Sequence, residues 1–172
     1  MADTVTRSRL PRRLATVAVT AVLATGTALV VAPDALAVTK LSQSTAASRL
    51  AAAGITHSSS GGCTTRSNPT CTSYEQINST TVAGAVTLRN ASGCAINITG
   101  GTEVGHASGT YSHYNGYKID ITKYTCIGNY IKGNFTYVGL RGDGYPQWRA
   151  ASGNLYCDEG SHWDITYYTS GG

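Results

Sequence analysis

The chain has 172 residues, among them 13 lysines and arginines, 9 aspartates and glutamates and 5 cysteines, and its formal net charge is +4 at pH 7. This length predicts one domain that can bury a hydrophobic core. The charge is too small, and too little clustered, to favour nucleic-acid binding, so we expect a partner of another kind.

Residues 1–37 have the features of a secretory signal peptide. Four arginines precede position 14, the stretch 14–32 is almost uncharged, and Ala35-Leu36-Ala37 offers small residues for a signal peptidase. A retained membrane anchor is the alternative, because the apolar stretch is long enough to span a bilayer. With the signal removed, 9 basic and 7 acidic residues remain, a net charge of 9 − 7 = +2. We expect a secreted or cell-wall-associated monomer without a membrane segment.

The rest of the chain predicts helices first and strands later. Residues 42–53 predict a short helix that ends at Gly54, and 57–62 form a connector rich in serine and glycine, so that the compact domain is expected to begin near Cys63. A second helix is predicted over 73–88. Alternating apolar and polar residues predict strands over 94–99, 117–122, 135–140 and 162–168. The expected fold is a small α+β domain with a C-terminal antiparallel sheet.

All five cysteines lie in the exported part of the chain, where disulfides form readily. Cys63 and Cys71 can close a short loop, and Cys94 can reach Cys126 across the domain. This is one of several possible pairings, and it leaves Cys157 unpaired.

Two groups of ionisable residues indicate a metal site. His113 precedes a glycine turn at Gly116, and Asp120 follows in the next predicted strand; Glu159 and His162 stand together near the C-terminus. Strand alternation directs Asp120 and His162 away from the apolar side chains of their strands. If the two strands are neighbours, both residues converge with His113 on one side of the sheet. Two histidines and one aspartate suit a catalytic zinc, and a nearby glutamate suits the activation of water.

These residues resemble the motifs Ser-x-His-x-x-Gly-x-x-x-Asp and Glu-x-x-His of the zinc D-Ala-D-Ala carboxypeptidases and dipeptidases, which belong with the Hedgehog-like and lysostaphin-type metallopeptidases. The resemblance spans roughly residues 95–166, and the leader and cysteines resemble those of small secreted actinobacterial members. It implies a Hedgehog/DD-peptidase-like fold for residues 63–172. The residues that carry it are Ser112, His113, Gly116, Asp120, Glu159 and His162.

The resemblance also implies roles and an activity. His113, Asp120 and His162 correspond to the ligands of one zinc ion, and Glu159 corresponds to the catalytic base that activates water and protonates the leaving amine. The implied substrate is a peptidoglycan stem peptide, cleaved by a D-Ala-D-Ala carboxypeptidase or by an endopeptidase.

One family feature is missing. Many members carry an arginine after the strand that precedes the first motif, and residues 99–103 contain none. Arg89, Arg141 and Arg149 are candidates to replace it, and Ser112, Glu103 and His106 are further candidates for substrate binding. A Glu103–His106 pair that bonds only within its own loop is the other interpretation. Because the family's arginine is missing, the alternative function is a non-catalytic cell-wall-binding or inhibitory module with the same fold.

Overall fold

A computed structural model describes residues 38–168, so the predicted signal peptide lies outside the described residues. Within them the helices are α1 (Gln43–Ala52), α2 (Ser79–Ser92) and α3 (Thr125–Asn134). The strands are β1 (Lys40–Leu41), β2 (Thr56–His57), β3 (Ile77–Asn78), β4 (Asn97–Gly100), β5 (Lys118–Thr122), β6 (Thr136–Leu140), β7 (Pro146–Arg149), β8 (Leu155–Asp158) and β9 (His162–Thr166).

One seven-stranded sheet organises the domain, in the order β2-β4-β5-β9-β8-β7-β6, and β1 and β3 form a separate two-stranded sheet. Neighbouring strands are antiparallel except β2 and β4, which are parallel. The α+β class is confirmed. The parallel β2 is a departure from the purely antiparallel sheet that the sequence predicted.

The hydrophobic core forms between one face of this sheet and the helices. Ala46 and Leu50 of α1 belong to the same buried cluster as the central strands, so the core includes residues that precede Cys63. Burial of apolar surface stabilises a fold by about 25 cal/mol per Å², and the isoleucine-rich strands and helices supply most of this surface. The largest fully buried apolar side chains are Leu50, Tyr74, Ile77, Ile98, Ile119, Ile121, Ile127, Ile131, Trp163, Ile165 and Tyr167.

The helices agree with the sequence only in part. α1 is confirmed, with Ser42 as its N-cap. The second helix begins at Ser79 rather than at residue 73, because Gln76 adopts a left-handed backbone (φ 66°) that a continuous helix does not allow. α3 was not predicted. Part of the predicted connector is also ordered, since Thr56 and His57 pair with β4.

Both predicted disulfides are present, Cys63–Cys71 and Cys94–Cys126. Cys157 is a free, buried thiol, as predicted. Two disulfides indicate an extracellular or otherwise oxidising environment. Among residues 38–168, no helix combines the length and apolarity needed to cross a membrane.

Candidate metal centre

The candidate site lies on the polar face of the β5–β9 pair. The two strands are neighbours, as the metal-site prediction required, and Asp120 lies directly opposite Asp164. Side chains alternate between the two faces of a strand, so Asp120, Asp164 and His162 leave the sheet on the side away from the core. Ile121 and Trp163, which directly follow Asp120 and His162, face the core and are fully buried.

The loop between β4 and β5 places His113 over this face. Gly116 closes the turn after the histidine, since its N–H donates to the His113 carbonyl at 2.7 Å. Its backbone is left-handed (φ 77°), and an added Cβ would lie 2.6 Å from the Gln76 carbonyl oxygen. The His113 ring is held from behind, because Nδ1 lies 2.8 Å from the carbonyl oxygen of Gly101. The glycine of the motif therefore has a steric role, and the loop fixes the ring.

Two histidines approach the same oxygen of Asp120. His113 Nε2 lies 3.3 Å and His162 Nε2 lies 3.6 Å from Asp120 Oδ1. This oxygen is buried and has no hydrogen-bond partner among residues 38–168. The carboxylate packs closely against Gly100, its cross-strand neighbour, where an added Cβ would collide with it.

The chemistry of these donors fits a bound cation. A carbonyl oxygen only accepts hydrogen bonds, so the Nδ1–H of His113 donates to Gly101, and Nε2 of the neutral ring then carries a lone pair. This lone pair faces a carboxylate oxygen, which is also an acceptor. A positive charge between the two, either a proton or a metal ion, resolves the conflict.

His106 is the second histidine of the same loop. Its ring stacks on the His113 ring, with centroids 3.8 Å apart and planes 15° apart. Its Nδ1 lies 3.8 Å from Asp120 Oδ2, and its Nε2 lies 3.0 Å from Glu103 Oε1. His106, His113 and Asp120 offer ligand atoms within 4.8 Å of one another, so these three residues could hold a metal ion.

Glu159 lies between His162 and an arginine. Its Oε2 is 3.2 Å from His162 Nε2, and its Oε1 is 2.5 Å from Arg141 Nη2. Arg141 comes from the turn between β6 and β7, and its Nη1 also contacts Asp164 at 3.0 Å. Lys118 binds the same carboxylate at 2.7 Å, which offsets the like charges of Asp164 and Asp120 across the strand pair.

The pKa values of the central pair reflect this arrangement. Burial alone would raise the pKa of Asp120, but the adjoining His113 ring, with the charges of His162 and His106, holds it below its ordinary value. Burial alone would lower the pKa of His113, but Asp120, Asp164 and the Gly101 carbonyl raise it above its ordinary value. The site therefore favours the charged forms of both partners when no metal is bound.

Most of the predicted site residues come together in one cleft of about 560 Å³. Glu103 lies behind His106 instead of lining this cleft, and its carboxylate accepts the backbone N–H groups of Ser73 and Gly101. Lys118 and Tyr111 also line the cleft but were not predicted as site residues; the alternation that identified Asp120 places Lys118 on the same face. The predicted residues in the cleft are His106, Ser112, His113, Asp120, Arg141, Glu159 and His162.

Two details of the sequence interpretation are wrong. Arg89 does not line the cleft, because it lies in the last turn of α2 and its guanidinium approaches Gly54. Ser112 directly precedes His113, so the one-residue gap of the Ser-x-His motif is absent and Tyr111 stands two positions before the histidine. Ser112 Oγ accepts the N–H of Asn115 at 3.2 Å, which stabilises the turn that leads to Gly116.

Comparison of the chain with protein-family models, with curated proteins and with solved structures gives no match.

Proposed function

We propose that this protein is a secreted zinc-dependent peptidase that hydrolyses peptide bonds in peptidoglycan stem peptides, of the D-Ala-D-Ala carboxypeptidase or endopeptidase type. The observation that carries the proposal is the convergence of His113 and His162 on Asp120 Oδ1, with Glu159 beside His162. The Hedgehog-like family assignment is part of the same proposal and rests on the motif residues.

The donor set supports zinc as the metal. Two imidazole nitrogens and one carboxylate are ligands that zinc accepts in catalytic sites, where a further position stays open for water or substrate. The orphaned Oδ1 of Asp120 supplies the negative charge for such an ion. A zinc ion held by these residues supplies Lewis acidity, which activates water and polarises a carbonyl group.

The remaining groups of the cleft have separable tasks. Glu159 accepts a proton at Oε2 and later returns it to the leaving amine, as a general base and acid. Arg141 orients that carboxylate, because it binds the other oxygen, Oε1, at 2.5 Å. Arg141 also lines the cleft, and its charge can stabilise negative charge on a substrate oxygen in place of the missing upstream arginine.

A non-catalytic cell-wall-binding or inhibitory module is the second candidate. One observation favours it: both oxygens of Glu159 already have a charged or potentially charged neighbour, Arg141 at Oε1 and His162 at Oε2. Both carboxylate oxygens are thus already engaged by protein groups. The two candidates share the metal and differ in the use of Glu159.

The deciding experiment compares the purified mature protein with Glu159→Gln on cell-wall muropeptides, with and without a chelator. We expect wild-type protein to release products that the chelator abolishes, and Glu159→Gln to lose at least about 10²-fold in rate while it still binds zinc. Glu75→Gln is the matched control, because Glu75 lies outside the cleft.

The outcomes separate the candidates. If wild-type protein and Glu159→Gln both bind one zinc ion and both leave muropeptides intact, the binding module replaces the peptidase. If wild-type protein binds no zinc, both candidates are wrong.

A further inference from the structure

We propose that His106 is a further protein ligand of the metal, fixed for that role by Glu103. This role rests on the proposed metal centre and adds one residue to its ligand set. The resemblance to zinc peptidases assigns no role to His106.

The two oxygens of Asp120 lie near different histidines. Oδ1 faces His113 and His162, whereas Oδ2 faces His106, whose Nδ1 lies 3.8 Å away. Each of the three imidazole rings thus has one nitrogen within 3.8 Å of an oxygen of the same buried carboxylate. Three histidine rings, and not only two, therefore lie close to the Asp120 carboxylate.

Glu103 fixes the orientation of the His106 ring. Glu103 is 3 % exposed, and its carboxylate is fixed by the N–H groups of Ser73 at 2.7 Å and Gly101 at 3.0 Å. A carboxylate accepts, so Nε2–H of His106 donates to Glu103 Oε1 at 3.0 Å. In the neutral ring the lone pair then lies on Nδ1, the nitrogen that faces Asp120.

The three histidines differ in the partner of the second ring nitrogen. A ligating histidine usually donates its second ring N–H to a carboxylate or a backbone carbonyl, which fixes the tautomer. His113 does so with the Gly101 carbonyl and His106 does so with Glu103. The second ring nitrogen of His162, Nδ1, instead contacts the hydroxyl of the adjacent Ser161 at 2.9 Å, and a hydroxyl can donate or accept. By this criterion His106 is prepared for metal binding at least as well as His162.

A fourth ligand has a consequence for activity. With His106 beside His113, Asp120 and His162, four protein groups would be available to a zinc ion, and water would bind only where one of them gives way. His106 is the residue best placed to do so. Its side chain is 26 % exposed and residues 107–110 are exposed, so its departure uncovers little of the core.

The test measures zinc affinity directly. Metal-free mature protein is titrated with Zn²⁺ against a chelating dye, for wild type, His106→Ala, His106→Gln, Glu103→Gln and His162→Ala. His57→Ala is the matched control, because His57 lies in β2, outside the cleft. We expect both His106 variants to lose at least about 10-fold in affinity and Glu103→Gln to lose about 10-fold, with His57→Ala within twofold of wild type.

A second readout does not depend on affinity. In the Co²⁺-substituted protein, the visible absorption spectrum reports the number and type of ligands, so His106→Gln should change it at saturating metal.

Unchanged affinity and an unchanged cobalt spectrum in both His106 variants would overturn the inference. If His162→Ala then loses the metal, the proposed zinc centre stands without His106. If wild-type protein itself binds no zinc, the proposed function fails together with the inference.

Discussion

The two faces of the β5–β9 pair have the same backbone and opposite chemistry. One face presents Ile119, Ile121, Trp163 and Ile165, each at most 1 % exposed, to the core. The other presents Asp120 opposite Asp164, two like charges that oppose pairing. The apolar face supplies stability, and the polar face concentrates groups that a fold selected only for stability would avoid. The alternation of a single strand thus separates the residues that keep the domain folded from those proposed to act.

The largest stability difference between the faces is expected within one strand, between adjacent residues. Trp163 is fully buried in the core, so Trp163→Ala should lower the free energy of unfolding by about 3–5 kcal/mol. His162→Ala, on the opposite face with a side chain 29 % exposed, should cost less than about 1 kcal/mol in metal-free protein. Urea unfolding of both variants in the presence of a chelator measures the difference. Equal losses would contradict the division between the faces.

The two disulfides support different faces of the sheet: one supports the core face, and the other supports the loop over the polar face. Cys94–Cys126 ties the chain before β4 to α3, which covers the core face, whereas Cys63–Cys71 closes the loop that carries Arg66. Arg66 donates to the Thr102 and Tyr114 carbonyls and thereby supports the loop that contains His106 and His113.

Removal of the longer-range disulfide should therefore have the larger effect on stability. The sequence separation is 32 residues for Cys94–Cys126 and 8 for Cys63–Cys71. Chain entropy predicts losses of about 3–4 and about 2–3 kcal/mol when each pair is replaced by alanine. Zinc affinity should respond in the opposite order: the Cys63→Ala/Cys71→Ala protein should bind zinc more weakly than the Cys94→Ala/Cys126→Ala protein. Thermal unfolding with a zinc titration checks both, and a larger affinity loss in the Cys94→Ala/Cys126→Ala protein would contradict this assignment.

A smaller, pH-dependent term comes from Asp158 on the core side of β8. Burial alone would raise its pKa, but Lys123 at 2.5 Å, the Gly160 N–H and Lys132 at 3.2 Å hold the pKa below its ordinary value. A depressed acid pKa contributes stability above the unfolded value, near 3.9, and loses it as the pH falls through the folded value.

Asp158→Asn should thus cost about 1 kcal/mol at pH 7, because both lysines are at least one-third exposed and screened by solvent. Near pH 2 the difference from wild type should largely vanish. Unfolding free energies at the two pH values test this. A cost that stays constant with pH would show that packing, and not charge, is responsible.

The smallest expected effect concerns Ser112, a predicted substrate-binding residue on the site side. Its Oγ accepts the Asn115 N–H, so Ser112→Ala should cost about 0.5–1 kcal/mol in stability. If that bond is its main role, KM for muropeptides should stay within twofold of wild type. A large rise in KM with unchanged stability would instead support substrate contact.

The sequence predicted those features that depend on alternation and on cysteine chemistry. Period-two patterning places Asp120 and His162 on one face of the sheet if their strands are neighbours, and β5 and β9 are neighbours. The pairing of four cysteines was also predicted correctly. The ligand roles of His113, Asp120 and His162 and the catalytic role of Glu159 stay predictions.

Long-range contacts explain what the sequence could not predict. α3 contains Gly128 and Gly133 and has weak intrinsic helix propensity, but Ile127 and Ile131 are fully buried against the sheet, and tertiary packing decides. The site position of Arg141 follows from a turn that returns to β9 across the sheet face, which no local pattern encodes.

The loop that carries His106 and His113 begins and ends on strands that pair with each other, since Gly100 of β4 lies opposite Asp120 of β5. Its two ends are fixed by the sheet whatever lies between them. The cost of closing such a loop grows only slowly with its length. The segment is therefore a natural unit of evolutionary exchange: replacing it could alter or remove the chemistry of the site while the strand framework stays the same.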